Sequence, residues 1–357
     1  VRKHLGKTLV GLAVTVLALW YVLRGEDFGA IISQMRQGDP LLLLAATTVA
    51  TFGFFIRALR WKVILAAVKP DTRLRSRFAA VSIGFMANNV LPARVGEFAR
   101  AYSFSRMEPV SAGAAFGSLV VERFLDGVVL LLLLVIPILL PGFPAGGALS
   151  SGMGALILRG GVLAVGIVMV ALVTMAVWPR AFIRGAERVA AFLPRAMARP
   201  VVGALESLLD SIAVLRSPRL LSLSFAWTVG FWLFHGVSFW LGMLAFGIDT
   251  GIVSAWFTEA VVGFGVALPA APGFIGTFHA SAEFALTGVY GVESSRSLAF
   301  AFGYWFAGWV PINVIGLWYA WKLGLSLGDV GAAAERVERV IEDEHPDAGR
   351  VLGREDA

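Results

Sequence analysis

Long apolar runs alternate with short polar connections along this chain, and the runs have the length of membrane spans rather than of core helices. Thr8 to Leu23, Leu41 to Ile56, Gly127 to Leu140 with its N-terminal extension, Gly160 to Trp178, Leu220 to Phe246 and Leu298 to Trp321 approach the ~20 residues that a helix needs to cross roughly 30 Å of hydrocarbon. Two further apolar stretches are interrupted near their middles. Phe78 to Phe104 breaks at Asn88-Asn89-Val90-Leu91-Pro92, and Ile252 to Tyr290 at Leu268-Pro269-Ala270-Ala271-Pro272-Gly273. Proline removes a backbone donor and glycine loosens the helix, so carbonyls freed there need protein or water as partners. The pattern predicts an all-α polytopic membrane protein with six full spans and two broken, re-entrant helical hairpins.

Charge in the connections sets sidedness. The N-terminus is basic, 24 to 40 is nearly neutral, 57 to 77 carries Arg57, Arg60, Lys62, Lys69, Arg73, Arg75 and Arg77 against Asp71 alone, and 141 to 158 has no charge. Segment 179 to 219 is basic again through Arg180, Arg184, Arg188, Arg195, Arg199, Arg216 and Arg219, whereas 247 to 251 holds only Asp249. Lys and Arg concentrate in cytoplasmic connections, so both termini are expected on the cytoplasmic side of a cell (inner) membrane. These assignments agree only if each broken hairpin enters and leaves on one side. The membrane domain, 1–324, then divides into two units of span, span, broken hairpin and span, 1–140 and 160–324, in an inverted repeat. GFMANNVLPARVGEF at 84 to 98 and GFGVALPAAPGFIGTF at 263 to 278 support it, each placing Gly-Phe shortly before Leu-Pro and a Gly soon after.

The first run follows Arg2, Lys3 and Lys7 as a signal peptide would, but no small-residue cleavage site follows, and Trp20 and Tyr21 suit an interface. It is expected to be a retained anchor. Arg195 to Arg216 has the mixed spacing of an amphipathic surface helix. Residues 325–357 are read as an acidic cytosolic tail with one helical pattern around Ala332 to Ile341.

Composition removes most other function classes. At 58% hydrophobic and 15% charged, the 357 residues leave no room between spans for a large soluble catalytic domain, so the chain is not expected to be an enzyme. It has no cysteine, and His4, His235, His279 and His345 lie far apart, so neither a metal nor another cofactor is expected. The net charge of +6 comes mostly from residues flanking the spans and does not indicate nucleic acid. The expected ligand is a membrane lipid. A separately encoded lipid-modifying enzyme and a second copy of the chain are the protein partners this reading allows.

Ionisable groups at membrane depth are costly and therefore informative. Arg57, Arg60 and Trp61 stand at the inner end of the second span, where anchoring to lipid phosphate and capture of a substrate phosphate both fit. Arg94, Glu97 and Arg100 recur every three residues after Pro92, as on the first turns of a half-helix whose N-terminus would favour an anion. Glu97 would hold the arginines, and Asn88 and Asn89 would satisfy broken backbone or meet a polar headgroup. Glu122, Arg123 and Asp126 lie between the inner interface and hydrocarbon, with small residues from Ser111 to Ser118 allowing close helix approach. Around the second break, Glu259, His279 and Glu283 are candidates for proton coupling, although a buried hydrogen-bonded His279 fits as well. Pro269, Pro272, Gly273 and Gly276 are expected to set a second half-helix N-terminus opposite the first, as a gate.

These residues resemble the flippase-like transmembrane family named for the membrane half of lysylphosphatidylglycerol synthase. The resemblance spans about residues 5 to 324 and rests on RALRW at 57 to 61, NNVLPARVGEFAR at 88 to 100, ERFLD at 122 to 126 and LPAAPGFIG at 268 to 276. It implies translocation of a lipid with a polar head between leaflets, and assigns a site to Asn89, Arg94, Glu97, Arg100, Glu122, Arg123 and Asp126. The sequence departs from the family at the second hairpin. The family carries Pro-Gly-Gly with a Glu three residues after the last Gly of the motif. Here Phe274 fills the middle position and His279 the Glu position, which implies a difference in coupling or headgroup choice. The aminoacyl-transferase domain of the full synthase has no counterpart here, so the chain is not expected to aminoacylate a lipid itself. An anionic or polyprenyl-linked lipid is the expected substrate, its phosphate neutralised by Arg94, Arg100 and Arg123. The competing classes are a secondary transporter of a small organic anion and a non-transporting scaffold for a membrane glycosyltransferase or other lipid-modifying enzyme.

Overall fold

Helix α3 (Pro40–Leu65) begins where the sequence caps it: the Asp39 carboxylate accepts from the backbone N–H groups of Leu41 and Leu42, and Pro40 occupies the first helical position. The same chemistry starts α7 (Pro218–Ala245), where Ser217 accepts from Leu220 ahead of Pro218, and α6 (Ala112–Leu139), where Ser111 accepts from Ala114. The computed structural model describes residues 2–144, 217–268 and 270–344, and every regular element among them is helical. The expected span Gly160 to Trp178, the amphipathic segment 195–216 and Pro269 lie outside the described residues.

Around α3 and α7 stand α1 (Arg2–Leu23), α2 (Phe28–Gln37), α4 (Leu74–Val90), α5 (Gly96–Ser105), α8 (Ile252–Gly265), α9 (Thr277–Glu283) and α10 (Ser294–Lys322). Three described helices are long and apolar enough to cross a bilayer: Pro40–Leu65, Arg219–Ala245 and Ser294–Lys322. They coincide with three of the expected spans. The expected span Gly127 to Leu140 is the C-terminal half of α6. An outward row on α10, Phe306, Val310, Val314, Leu317 and Trp321, is exposed at successive turns. In water that row would be an anomalous apolar patch, whereas lipid is its natural solvent.

The packing is reciprocal. Helices α3 and α7 pack extensively on each other; α4 lies on α10 as α8 lies on α6, and α10 also touches α3 as α6 touches α7. Close approach inside the first hairpin depends on glycine: a Cβ on Gly96 would fall 2.3 Å from the Gly84 carbonyl oxygen.

Two elements escape a reading of spans alone. Helix α2 lies in the connection 24 to 40, started by Asp27 accepting from Gly29 and Ala30, and it seats Ile31 beside Val22 and Leu298. The tail contains α11 (Leu327–Gly331) and α12 (Ala333–Glu344), the latter at the expected helical pattern. It is not a detached tail. Ala333 and Val337 are fully buried, α12 packs on α5 and α6, and Arg336 donates to Tyr102 Oη and to Asp329 Oδ1 at 2.7 Å. A stripe of Ala333, Val337 and Val340 at helical spacing supplies the contact despite the charge around it. Hydrogen bonds from Ser326 and Arg336 draw the Asp329 carboxyl down to about 2.

Candidate site at the two helix breaks

Both breaks are built in the same way. Leu91 and Ala271 are extended, as residues before proline must be, and each is followed by a single 3-10 turn, Pro92–Arg94 and Pro272–Phe274. The third residue of each turn is left-handed although neither is glycine: Arg94 has φ 54° and Phe274 φ 59°. Two residues later comes a glycine, Gly96 or Gly276, whose N–H is taken by a side chain. Asn88 Oδ1 accepts from Gly96 at 2.8 Å, and His279 Nδ1 from Gly276 at 3.4 Å. The structural register therefore pairs Pro92 with Pro272. The counterpart of Leu91-Pro92 is thus Ala271-Pro272 and not Leu268-Pro269, the match that the sequence pattern suggests. The family's glycine at the position of Phe274 also acquires a reason, since that backbone is left-handed.

The two turns touch each other. Arg94 Nη1 donates to the Ala267 carbonyl at 2.6 Å, and its guanidinium lies 4.9 Å from the Phe274 ring centre. Helix α1 clamps the second turn through Thr15, whose hydroxyl accepts from Ala271 N at 2.9 Å and donates to Ile275 O at 3.2 Å. Gly276 is left-handed, with φ 86°, and a Cβ there would fall 2.9 Å from Thr15 O. Gly276→Val is expected to push α1 off the second turn and lower stability by about 1–3 kcal/mol, read as a lower melting temperature in detergent. A Gly276→Val protein that melts with the parent would show that this clamp is dispensable.

Between α3, α5 and α6 lies a buried ionic network. Arg100 grips Glu122 with two parallel bonds, Nη1 to Oε1 at 2.8 Å and Nη2 to Oε2 at 2.9 Å, and stacks 4.0 Å over Trp61. Arg60 bridges both acids, 3.0 Å to Glu122 Oε1 and 2.5 Å to Asp126 Oδ1. Arg57 reaches Asp126 Oδ2 at 3.4 Å and stacks 4.1 Å over Phe231. Trp232 on α7, not foreseen from sequence, donates to Asp126 at 2.9 Å. The small residues of α6 let it come this close, and Ser118 accepts from Trp61 at 2.9 Å. Arg60 and Glu122 have no exposed surface. Arg123 is the outer member, its side chain 40% exposed, with longer contacts to Glu97 at 3.5 Å, Asp126 at 3.4 Å and Glu122 at 3.7 Å.

This arrangement corrects the expected face of Arg94, Glu97 and Arg100. Arg94 stands on the turn, ahead of α5, and crosses to the second break, whereas Arg100 is spent on Glu122. Arg100 therefore cannot meet a phosphate unless the network opens. Asn88 serves the broken backbone and also lies 3.4 Å from Glu97, while Asn89 makes no side-chain hydrogen bond among the described residues. Five guanidinium groups, Arg57, Arg60, Arg94, Arg100 and Arg123, face three carboxylates, Glu97, Glu122 and Asp126, a surplus of two positive charges.

At the second break the expected pairing of His279 with Glu283 does not form. His279 is fully buried, its ring 4.0 Å from that of Phe302, and Nδ1 is used by Gly276. The opening of α9 is thus closed by His279 and Thr15 rather than offered to an anion. Glu259 pairs instead with His235 on α7, Oε1 to Nδ1 at 2.5 Å. Among the described residues no group of three metal-ligating side chains occurs.

Long apolar helices with lipid-facing rows, together with two helix breaks that meet beside a buried ionic network, define a multi-pass helical membrane protein. The chain belongs to the lysylphosphatidylglycerol synthase transmembrane region family, which matches residues 8–316. It is 30% identical over 139 residues to a UPF0104 membrane protein of Methanothermobacter thermautotrophicus, covering 38% of this chain and 40% of that protein. It is 28% identical over 127 residues to a UPF0104 membrane protein of Methanocaldococcus jannaschii, covering 35% and 38%. A third relative is the glycosyltransferase AglD of Haloferax volcanii, 31% identical over 118 residues, 33% of this chain and 19% of AglD. The matches thus span two fifths or less of each relative.

Proposed function

We propose that the chain moves an anionic lipid, a phospholipid or a polyprenyl-linked lipid, between leaflets. The headgroup passes the junction of the two breaks while its chains stay in the bilayer. One observation carries this reading: the two turns meet, and Arg94 and Arg123, with Glu97 between, line that junction at the edge of a network with surplus positive charge. A phosphate diester would offset part of the surplus, and Arg123 can reach it with donors now held in contacts of 3.4 Å or more. Arg57, Arg60, Arg100, Glu122 and Asp126 act behind it as the frame that fixes Arg123. The reciprocal packing supports an inverted repeat, and the Lys and Arg bias of the connections supports hairpins that open to opposite sides with both termini cytoplasmic. Because the chain has no cysteine, single cysteines at Arg75 and Arg199 should label from the cytoplasmic side, and at Gly146 and Asp249 from the other. Labelling of Asp249 and Arg199 from one side would remove the inverted repeat.

Family membership supports a lipid substrate, and the glycosyltransferase among the relatives is a reason to include sugar-bearing polyprenyl lipids as probes. The test is mass spectrometry of lipid retained after extraction in native nanodiscs. Anionic lipid enriched over the surrounding bilayer is expected, with the enrichment lost in Arg123→Ala. Equal retention of zwitterionic and anionic lipid would count against a phosphate site.

A further inference from the structure

The Glu259 carboxylate is enclosed on α8, and only one of its oxygens is used. Oε1 lies 2.5 Å from His235 Nδ1, whereas Oε2 has no hydrogen-bond partner. An unpartnered buried carboxylate oxygen is costly, so the position needs a reason. At 2.5 Å the two groups share a hydrogen. The species such a pair is built to take up is a proton, on the imidazole that already holds the carboxylate. The His235 side chain is 22% exposed, which gives the proton an entry that bypasses the core.

The pair also abuts the ionic network. The His235 ring stacks on Phe231 at 5.6 Å and 28°, and Arg57 lies 4.1 Å from the centre of that same ring. The ionisable groups facing the pair are Arg57 from α3 across Phe231, Asp126 from α6 through Trp232, and Tyr304 from α10 through Ser238, whose hydroxyl lies 2.5 Å from the phenol. His279 and Glu283 on α9 make their contacts elsewhere.

We propose that His235 and Glu259 form a proton-binding site whose occupancy sets how strongly the neighbouring arginine network holds an anionic headgroup. With a proton on His235 Nε2 as well as the hydrogen shared between Nδ1 and Oε1, the pair is neutral, and the network keeps its surplus of two positive charges. When the Nε2 proton leaves, Nδ1–H still donates to the carboxylate, the pair carries one negative charge, and the surplus falls to one. Uptake of a proton and uptake of an anion are then linked, and linkage acts equally in both directions. The headgroup half of this proposal rests on the lipid reading above; the proton half does not.

The test uses the full chain in nanodiscs, with short-chain phosphatidylglycerol as the probe and nitrogen-15-labelled histidine as the proton reporter. Wild type should bind the probe roughly fivefold or more tightly at about pH 5.5 than at about pH 8, and Glu259→Gln should bind it with one affinity at both. The His235 signal, assigned by its loss in His235→Gln, should change between about pH 5.5 and about pH 8 in wild type, and this change should be altered in Glu259→Gln. If Glu259→Gln fails to insert, His235→Gln, at the partly exposed position, serves for the binding comparison. A variant that keeps the wild-type pH dependence, or a His235 signal that does not titrate, overturns the proposal. Titration of His235 that depends on Glu259, in a protein that binds no phosphatidylglycerol at any pH, would overturn the lipid reading and leave the proton site standing.

Discussion

Arg100→Ala is expected to destabilise the protein by about 3–5 kcal/mol, because it leaves the Glu122 charge buried without its two-pronged partner. Arg60, at 3.0 Å, would then carry Glu122 almost alone, since Arg57 and Arg123 stand 3.8 and 3.7 Å away. The stacking of Arg100 on Trp61 goes too, opening a void beside that fully buried ring. Arg100→Lys should fall between, keeping the charge but losing the planar fork. Thermal unfolding in detergent measures this. An Arg100→Ala protein with the parent's melting temperature would show that the network is not structural and would return Arg100 to the candidates for direct contact with substrate.

Arg123→Ala is expected to do the opposite, lowering lipid movement at least about tenfold while changing stability by less than about 1 kcal/mol. Its contacts are 3.4 Å or longer and its side chain is 40% exposed, so little of the fold depends on it. Glu97 would lose its only ion pair among the described residues, but at 31% exposure it keeps access to solvent or headgroups. Arg123→Lys should recover part of the rate, as a point charge replacing a fork. Loss of stability matching that of Arg100→Ala would place Arg123 in the frame instead of on the path.

Three of the expected spans and both breaks are legible in the sequence because apolar length and proline are local signals. Pro92 and Pro272 each force the preceding residue to be extended, and the chain breaks there. The acidic residues of α6 were legible as a group, since Glu122, Arg123 and Asp126 stand inside an apolar run. What stayed hidden was pairing across the chain. Nothing local in Trp232 or His235 announces that α7 lies against Asp126 and Glu259, 106 and 24 residues away. The regular spacing of Arg94, Glu97 and Arg100 suggested a shared face because it assumed a helix already formed at Arg94, where a left-handed residue in fact ends the turn. Helix α2 was missed because its one buried side chain, Ile31, leaves too faint a pattern, and only the Asp27 cap marks it.

The central claim is that the junction of the two breaks is a path for an anionic lipid, and the most direct measurement is translocation in vesicles. The full chain would be reconstituted with fluorescent phosphatidylglycerol, fluorescent phosphatidylcholine or a fluorescent polyprenyl phosphate in the inner leaflet, and arrival at the outer leaflet followed by quenching. The account predicts that wild type moves at least one of the two anionic probes faster than phosphatidylcholine, and that the difference disappears in Arg123→Ala. Movement of neither anionic probe above protein-free vesicles, or equal movement of all three lipids by both proteins, would contradict it.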